Sequence, residues 1–138
     1  MSSVEIGHEI TAWEMSVVDP QRMKTMAAIL RDPYEVHWDH AAVRPLGFDR
    51  VINQGPLNLS YVANMLMAWQ GPTCVRRLQV KFTTPVFNDD AVTAGGVVTA
   101  IEEVDGERRA TCEIHLDRDG EHVVVGTAVV ALSDKAGA

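Results

Sequence analysis

The spacing of apolar and polar residues divides the chain into a first strand, two helices and a run of strands. Residues 10–18, ITAWEMSVV, read as an extended segment. Asp19-Pro20 then opens a helix, because an aspartate oxygen accepts from the free N–H groups at a helix start and proline suits the first helical position. Met23, Met26, Ala27 and Leu30 recur at helical spacing, so one face of this helix is expected in the core. The helix must end near Leu30, since Pro33 disfavours helical backbone at Asp32. An irregular stretch follows, with one short helical turn expected in DHAAVRPLG, residues 39–47.

Residues 56–70, PLNLSYVANMLMAWQ, read as the main helix, with Pro56 at its first position. Leu57, Leu59, Tyr61, Val62, Met65, Leu66, Met67 and Trp69 make it apolar on most sides, the pattern of a helix buried all round. Beyond it, Leu78, Val80 and Phe82 alternate with Gln79 and Lys81, a period of two that marks a half-buried strand. Residues 91–104 and 108–117 are two further strands joined by Asp105-Gly106, and DRDG at 117–120 makes the next turn. The last strand, HVVVGTAVVAL, is apolar on both faces, as expected if both are covered. This order predicts an α+β fold in which an antiparallel sheet wraps a central buried helix. A single domain over residues 1–132 is expected, with a frayed tail at 133–138.

Composition narrows the function classes. A chain of 138 residues has room for one real core. With 46% hydrophobic and 22% charged residues it has the balance of an ordinary globular protein. Its net charge of −7 argues against nucleic acid as a partner, because phosphate neutralisation needs clustered cations. The basic group of Arg76, Arg77 and Lys81 is too small for that, though it suits one phosphorylated small molecule. Cys74 and Cys112 form no paired motif and read as buried, reduced thiols. The N-terminus, with Glu5, His8 and Glu9, is no signal peptide, and the longest strongly apolar run, 123–132, is too short to span a bilayer. A cytoplasmic enzyme or binding module, with no membrane partner, is the expectation.

The candidate chemistry lies in LRDPYEVHWDH, residues 30–40, where Asp32, His37, Asp39 and His40 crowd together. No helical His pairing and no further ligand cluster accompany them, so no metal is expected. A solvated polar loop and an acid–base pair remain as readings. Asp32 alone suits a turn cap, and His37 alone suits a core histidine bonded to a carbonyl. VINQGPL, residues 51–57, adds an apolar entry and a glycine at the start of the buried helix. Backbone N–H groups at such an end lack partners and favour developing negative charge, and Gly55 has no side chain to block a ligand. A carbonyl docked there would be polarised towards an enolate.

RDPYEVHWDHAAVRPLGFDRVINQGPL, residues 31–57, resembles the signature of the MaoC-like dehydratases, the (R)-specific enoyl-CoA hydratase family of the hot-dog fold. The family pattern is D-x-N-P-[LI]-H-x-D, then G-F, then I-x-H-G. Asp32, His37, Asp39, Gly47, Phe48, Ile52 and Gly55 match it in order. Tyr34-Glu35 replaces the Asn-Pro, and Gln54 replaces the second His, which removes a titratable group.

The resemblance implies reversible syn addition of water to a trans-2-enoyl thioester. Asp32 and His37 would act as the catalytic dyad, and Gly55 as the oxyanion donor. Asn53 and Gln54 would line the substrate pocket. Coenzyme A enters as part of the substrate, and no separate cofactor is implied. A homodimer, or a hetero-oligomer with another hot-dog subunit, is implied as well. Asp39 is expected to cap the following turn. His40, His115 and His122 read as surface residues, and Asn58 and Tyr61 as packing. Arg50, Arg76, Arg77 and Lys81 are candidates for a CoA phosphate but are usual as solvated charges. A hot-dog thioesterase would want an acid on or beside the central helix, and residues 56–70 contain none. The alternatives are a catalytic subunit of a heteromeric dehydratase for a bulky, steroid- or polyketide-like acyl thioester, and a non-catalytic acyl-CoA-binding subunit.

Overall fold

A computed structural model describes residues 3–133. The order is β1 (Glu9–Met15), α1 (Pro20–Leu30), a 3-10 turn (Glu35–His37), α2 (His40–Val43), a second 3-10 turn (Arg44–Leu46), α3 (Gly55–Gln70), β2 (Val75–Phe82), β3 (Val92–Val104), β4 (Glu107–Arg118) and β5 (Glu121–Ala131). The strands form one antiparallel sheet in the order β1-β3-β4-β5-β2. It wraps around α3, which is the hot-dog arrangement. Tyr61, Val62, Met65 and Leu66 of α3 are buried with Ile10, Ala94, Val98, Ile114, Leu116, Val124, Ala128 and Val130 of the sheet. Among the described residues, no helix is long and apolar enough to cross a membrane.

Local chemistry sets the boundaries. Asp19 caps α1 by accepting from the Gln21 N–H at 2.8 Å, and Pro20 follows it. Arg31 ends the helix in left-handed conformation (φ 51°), so the chain leaves α1 at a sharp angle. The turns after β3 and β4 place Asp105-Gly106 and Asp119-Gly120 at positive φ, the geometry favoured in tight hairpins.

Three expectations need correction. The first strand stops at Met15 rather than residue 18. Val18 is fully buried but pairs with a loop, its N–H to the Asp90 carbonyl and its carbonyl to the Asp89 N–H. Leu30 does not face the core: with Ile29 it is exposed in the last turn of α1, where Arg31 ends the helix. β5 is covered on one face only. Val124, Ala128 and Val130 point at α3, whereas Val125 and Val129 are half-buried and Thr127 is exposed on the outer face. Of the expected frayed tail, residues 134–138 lie outside the described residues. Ser133 is described, and its N–H reaches Gln70 Oε1 at 2.9 Å.

One buried carboxylate ties the loop before β3 to the rest. Asp90 accepts from Arg50 at 2.7 Å, Arg118 at 3.1 Å and the Phe87 N–H at 2.9 Å. Burial pushes its pKa up, but the Phe87 N–H and the two guanidinium groups outweigh that and hold it below the usual aspartate value. Both arginines also lie over the Phe87 ring. A depressed folded-state pKa contributes stability above the unfolded value near 3.8, lost as pH falls through the folded value. Asp90→Asn should therefore lower unfolding free energy by about 2–4 kcal/mol at neutral pH. Urea titrations of both proteins should show the difference shrinking as pH drops below about 4. A constant difference down to strong acid would contradict this assignment.

Candidate active site

The segment between α1 and α3 crosses the N-terminal end of the buried helix, and its backbone bonds fix each side chain there. Asp32 Oδ1 accepts from the Tyr34 N–H at 3.2 Å, and the Glu35–His37 turn follows at once. Trp38 Nε1 donates to the Pro33 carbonyl at 3.1 Å. Asp39 caps α2 by accepting from the Ala41 N–H at 2.8 Å, the structural role expected of it. The Ile52 N–H then donates to the Val36 carbonyl at 2.8 Å, which lays residue 52 beside the turn.

His37 is held on Ile52 by its side chain as well. Its Nδ1 lies 2.7 Å from the Ile52 carbonyl oxygen. A carbonyl can only accept, so Nδ1 carries the proton and the neutral ring presents a bare lone pair at Nε2. Nε2 lies 3.6 Å from Asp32 Oδ2, beyond direct hydrogen-bond range but close enough for both to accept from one water. His37 is 12% exposed and Asp32 43%, so the pair has a protected side and a wet side. The ring of Tyr34 meets His37 edge-on, with centroids 5.8 Å apart.

Residues 53–55 bring the helix end into the same place. The Asn53 N–H donates to the Val86 carbonyl at 2.7 Å. Its side-chain Nδ2 donates to Asn58 Oδ1 at 2.7 Å and to Tyr61 Oη at 3.3 Å. Asn53 Oδ1 is buried without a partner. Tyr61 has a raised pKa because burial outweighs the Asn53 hydrogen bond and the Arg22 charge, so it stays a neutral phenol. Among the described residues the Gly55 N–H makes no hydrogen bond. A cavity of about 350 Å³ opens there, lined by His37, Asn53, Gly55, Asn58, Phe82 and Thr84 among others. A Cβ on Gly55 would lie 3.2 Å from Phe82 Cζ, so the bare glycine lets the aromatic ring and any ligand come close.

The cavity thus gathers His37, Asn53 and Gly55 of the expected site, and Asp32 reaches His37 from outside its lining. Gln54 lies apart from these. It is fully buried, is not among the cavity residues, and donates through Nε2 to the Met23 carbonyl at 2.7 Å. Its side chain ties the N-terminus of α3 to α1, and its Oε1 is buried without a partner. Asn58, read from sequence as packing, lines the cavity. Phe82, Thr83, Thr84 and Pro85 close the other wall, and nothing in their local sequence signals that placement.

The expected phosphate candidates divide. Arg50 is held by Asp90, and Arg76 makes a two-point pair with Glu107 at 2.6 and 2.9 Å. That pair, with Arg109, holds the Glu107 carboxyl down at about 2. Arg77 and Lys81 make no ion pair among the described residues and remain on the edge strand β2. His40 is exposed, with Nδ1 3.3 Å from the Asp49 carbonyl oxygen. Cys74 and Cys112 are buried free thiols, as expected, and desolvation pushes Cys112 up to about 11.

Comparison with known proteins bears on the family and the fold. The sequence profile described as "MaoC like domain" matches residues 3–118. No curated protein matches the chain. Among solved structures, the (R)-hydratase from A. caviae involved in PHA biosynthesis superposes with a TM-score of 0.80 at 28% identity, covering 96% of this chain and 100% of that one. R-hydratase PhaJ1 from Pseudomonas aeruginosa gives 0.82 at 21% identity over 95% of this chain and 84% of its own. A chain of the ChsH1-ChsH2 complex from Mycobacterium tuberculosis gives 0.82 at 19% identity over 95% and 100%.

The tautomer of His37 is directly testable. Nitrogen NMR correlation spectra of the labelled ring, at a pH where it is neutral, should show the proton on Nδ1 and none on Nε2. A proton on Nε2 would mean that the bond to the Ile52 carbonyl is not formed.

Proposed function

The chain belongs to the MaoC like domain family, and within that family we propose that it is an (R)-specific enoyl-CoA hydratase, or 3-hydroxyacyl-thioester dehydratase in reverse. The observation that carries this reading is the 3.6 Å pair of Asp32 Oδ2 and His37 Nε2 beside a cavity that ends at the unpaired Gly55 N–H.

The chemistry follows from those atoms. A water donating to both Asp32 and the bare Nε2 turns an oxygen lone pair towards the β-carbon of a trans-2-enoyl thioester. As the C–O bond forms, the dyad takes one water proton and the double-bond electrons move onto the thioester oxygen. The Gly55 N–H and the positive end of α3 stabilise that enolate, a contribution of about 3 kcal/mol for a well-placed donor. The enolate collapses as the dyad returns a proton to the α-carbon on the same face. The product is the (R)-3-hydroxyacyl thioester. Two tightly coupled groups need not have separate acid and base roles. Asn53 and Asn58 offer amides to the substrate carbonyl or water, and Gln54 takes no part. Acid–base chemistry of this kind calls for no cofactor, and coenzyme A arrives with the substrate.

An oligomer fits the same reading. β2 is an edge strand whose Phe82 is both exposed and part of the cavity wall. Pairing β2 with a second hot-dog subunit would cover the edge and complete the acyl site between the chains. That subunit would be a second copy or a related chain, as the similarity to one chain of a two-protein complex suggests. In the second case this chain, with Asp32 and His37, would be the catalytic partner for a bulkier acyl group.

Loss of enoyl absorbance with short- and medium-chain trans-2-enoyl-CoA tests the proposal. Asp32→Asn and His37→Ala should each lower kcat/KM by roughly 10²–10⁴-fold while remaining folded. Chiral analysis of the product should give the (R) alcohol. Full activity in both variants would remove the dyad from the mechanism. Activity appearing only on mixing with a second hot-dog chain would favour the heteromeric form.

A further inference from the structure

The outer face of the sheet, turned away from α3, carries a second cluster of side chains. His115 and Asp117 share that face of β4, and β5 should present to it only the residues alternating with Val124. A bulge breaks the alternation. Leu116 pairs with Val124 and Asp117 with His122, so Val123 is the extra residue and His122 is turned to the same side as Asp117. Three ligating atoms from His115, Asp117 and His122 therefore lie within 4.8 Å of one another.

The cluster is only partly hydrogen-bonded: His122 Nδ1 bonds Asp117 Oδ1, whereas His115 does not. Both histidines direct Nδ1 at the same carboxylate oxygen, Asp117 Oδ1, His122 in close contact and His115 at 3.0 Å. The His115 contact is not aligned as a hydrogen bond, which leaves its Nδ1 buried without a partner. A bare Nδ1 would set a lone pair against a carboxylate lone pair, a repulsion that a cation between them removes. The two imidazole rings lie 4.7 Å apart, close enough to share one ion. The His115 ring is accommodated by a glycine: a Cβ at Gly95 would come within 2.5 Å of His115 Cε1. A groove of about 330 Å³ beside the cluster is lined by Glu113 and Thr127 together with both histidines, so further oxygen donors border it. The net charge of −7 also favours a cation.

We propose that His115, Asp117 and His122 bind a divalent transition-metal ion of the Zn2+ class on the outer face of the sheet. Metal–ligand bonds of about 2.0 Å place tetrahedral ligands about 3.3 Å apart, near the 3.0 Å between His115 Nδ1 and Asp117 Oδ1, while His122 Nδ1 lies closer to that oxygen and would draw back on binding. Two imidazoles and one carboxylate select Zn2+, Co2+ or Ni2+ over Mg2+ and Ca2+, which prefer oxygen. The remaining positions open to solvent. The ion would act as a staple between β4 and β5. The same stretch of β5 is bonded to the cavity wall: Thr83, a cavity residue, donates from Oγ1 to the His122 carbonyl at 3.0 Å and from its N–H to the Val123 carbonyl at 3.0 Å.

The test uses the full chain without a polyhistidine tag, stripped with chelator and then dialysed against micromolar Zn2+. Elemental analysis should find one metal per chain. Saturation should raise Tm by roughly 5 °C or more, and Mg2+ should not. Co2+ in place of Zn2+ should give visible absorption with nitrogen and oxygen ligation. His122→Gln, at an exposed position, and His115→Gln should each abolish stoichiometric binding, whereas His37→Ala should retain it. No bound Zn2+ after dialysis, or equal binding in both outer-face variants, would overturn the site. These readouts do not depend on hydratase activity, so the outcome is separate from that of the proposed function.

Discussion

Everything in this fold depends on hiding one helix. α3 is apolar over most of its circumference, so a single flat contact face cannot satisfy it. The five-stranded antiparallel sheet curls around it instead, with β3, β4 and β5 as its inner wall and β1 and β2 as its edges. Burying the body of α3 leaves its N-terminal end as the natural place for a ligand. Helix N–H groups lack intrahelical partners there, and the dipole favours negative charge.

That constraint explains the course of residues 31–54. The segment must close the open end of the wrapped sheet without filling it. It does so with short turns pinned to one another: the Ile52 N–H to Val36, the His37 ring to Ile52, the Asn53 N–H to Val86. Each bond positions a functional group by the backbone of a different part of the chain. The Ile52 carbonyl has the largest chemical consequence, because it decides which nitrogen of His37 is free. Gln54, where the family pattern has a second histidine, bonds α1 through the Met23 carbonyl.

The sheet has two unlike faces. On the inner face, alternation places Ile114, Leu116, Val124 and Ala128 against α3. On the outer face the same alternation, interrupted once at Val123, gathers two histidines and an aspartate. A single extra residue in β5 separates an ordinary polar surface from a converging ligand set. Asp90 and its two arginines do comparable work at the sheet end, where one carboxylate holds the loop before β3 to the site-bearing segment.

Much of this was legible in the residues. The period-two runs, the Asp-Gly turns, Asp19-Pro20 and the all-round apolar helix at 56–70 specify local structure through short-range sterics and burial, so they can be read one segment at a time. Asp32, His37 and Gly55 stand out as a candidate site by their resemblance to the MaoC-like pattern, not by their spacing alone. What the sequence could not decide is any placement that depends on partners distant in the chain. The choice between Nδ1 and Nε2 rests on a carbonyl fifteen residues away. Gln54 faces away from the cavity because Met23 offers an acceptor, and Phe82 to Pro85 reach the cavity through sheet order. His115 and His122 looked like unrelated surface residues until strand register and one bulge joined them. Hydrophobic periodicity fixes which face a side chain takes, but only long-range pairing fixes what it meets there.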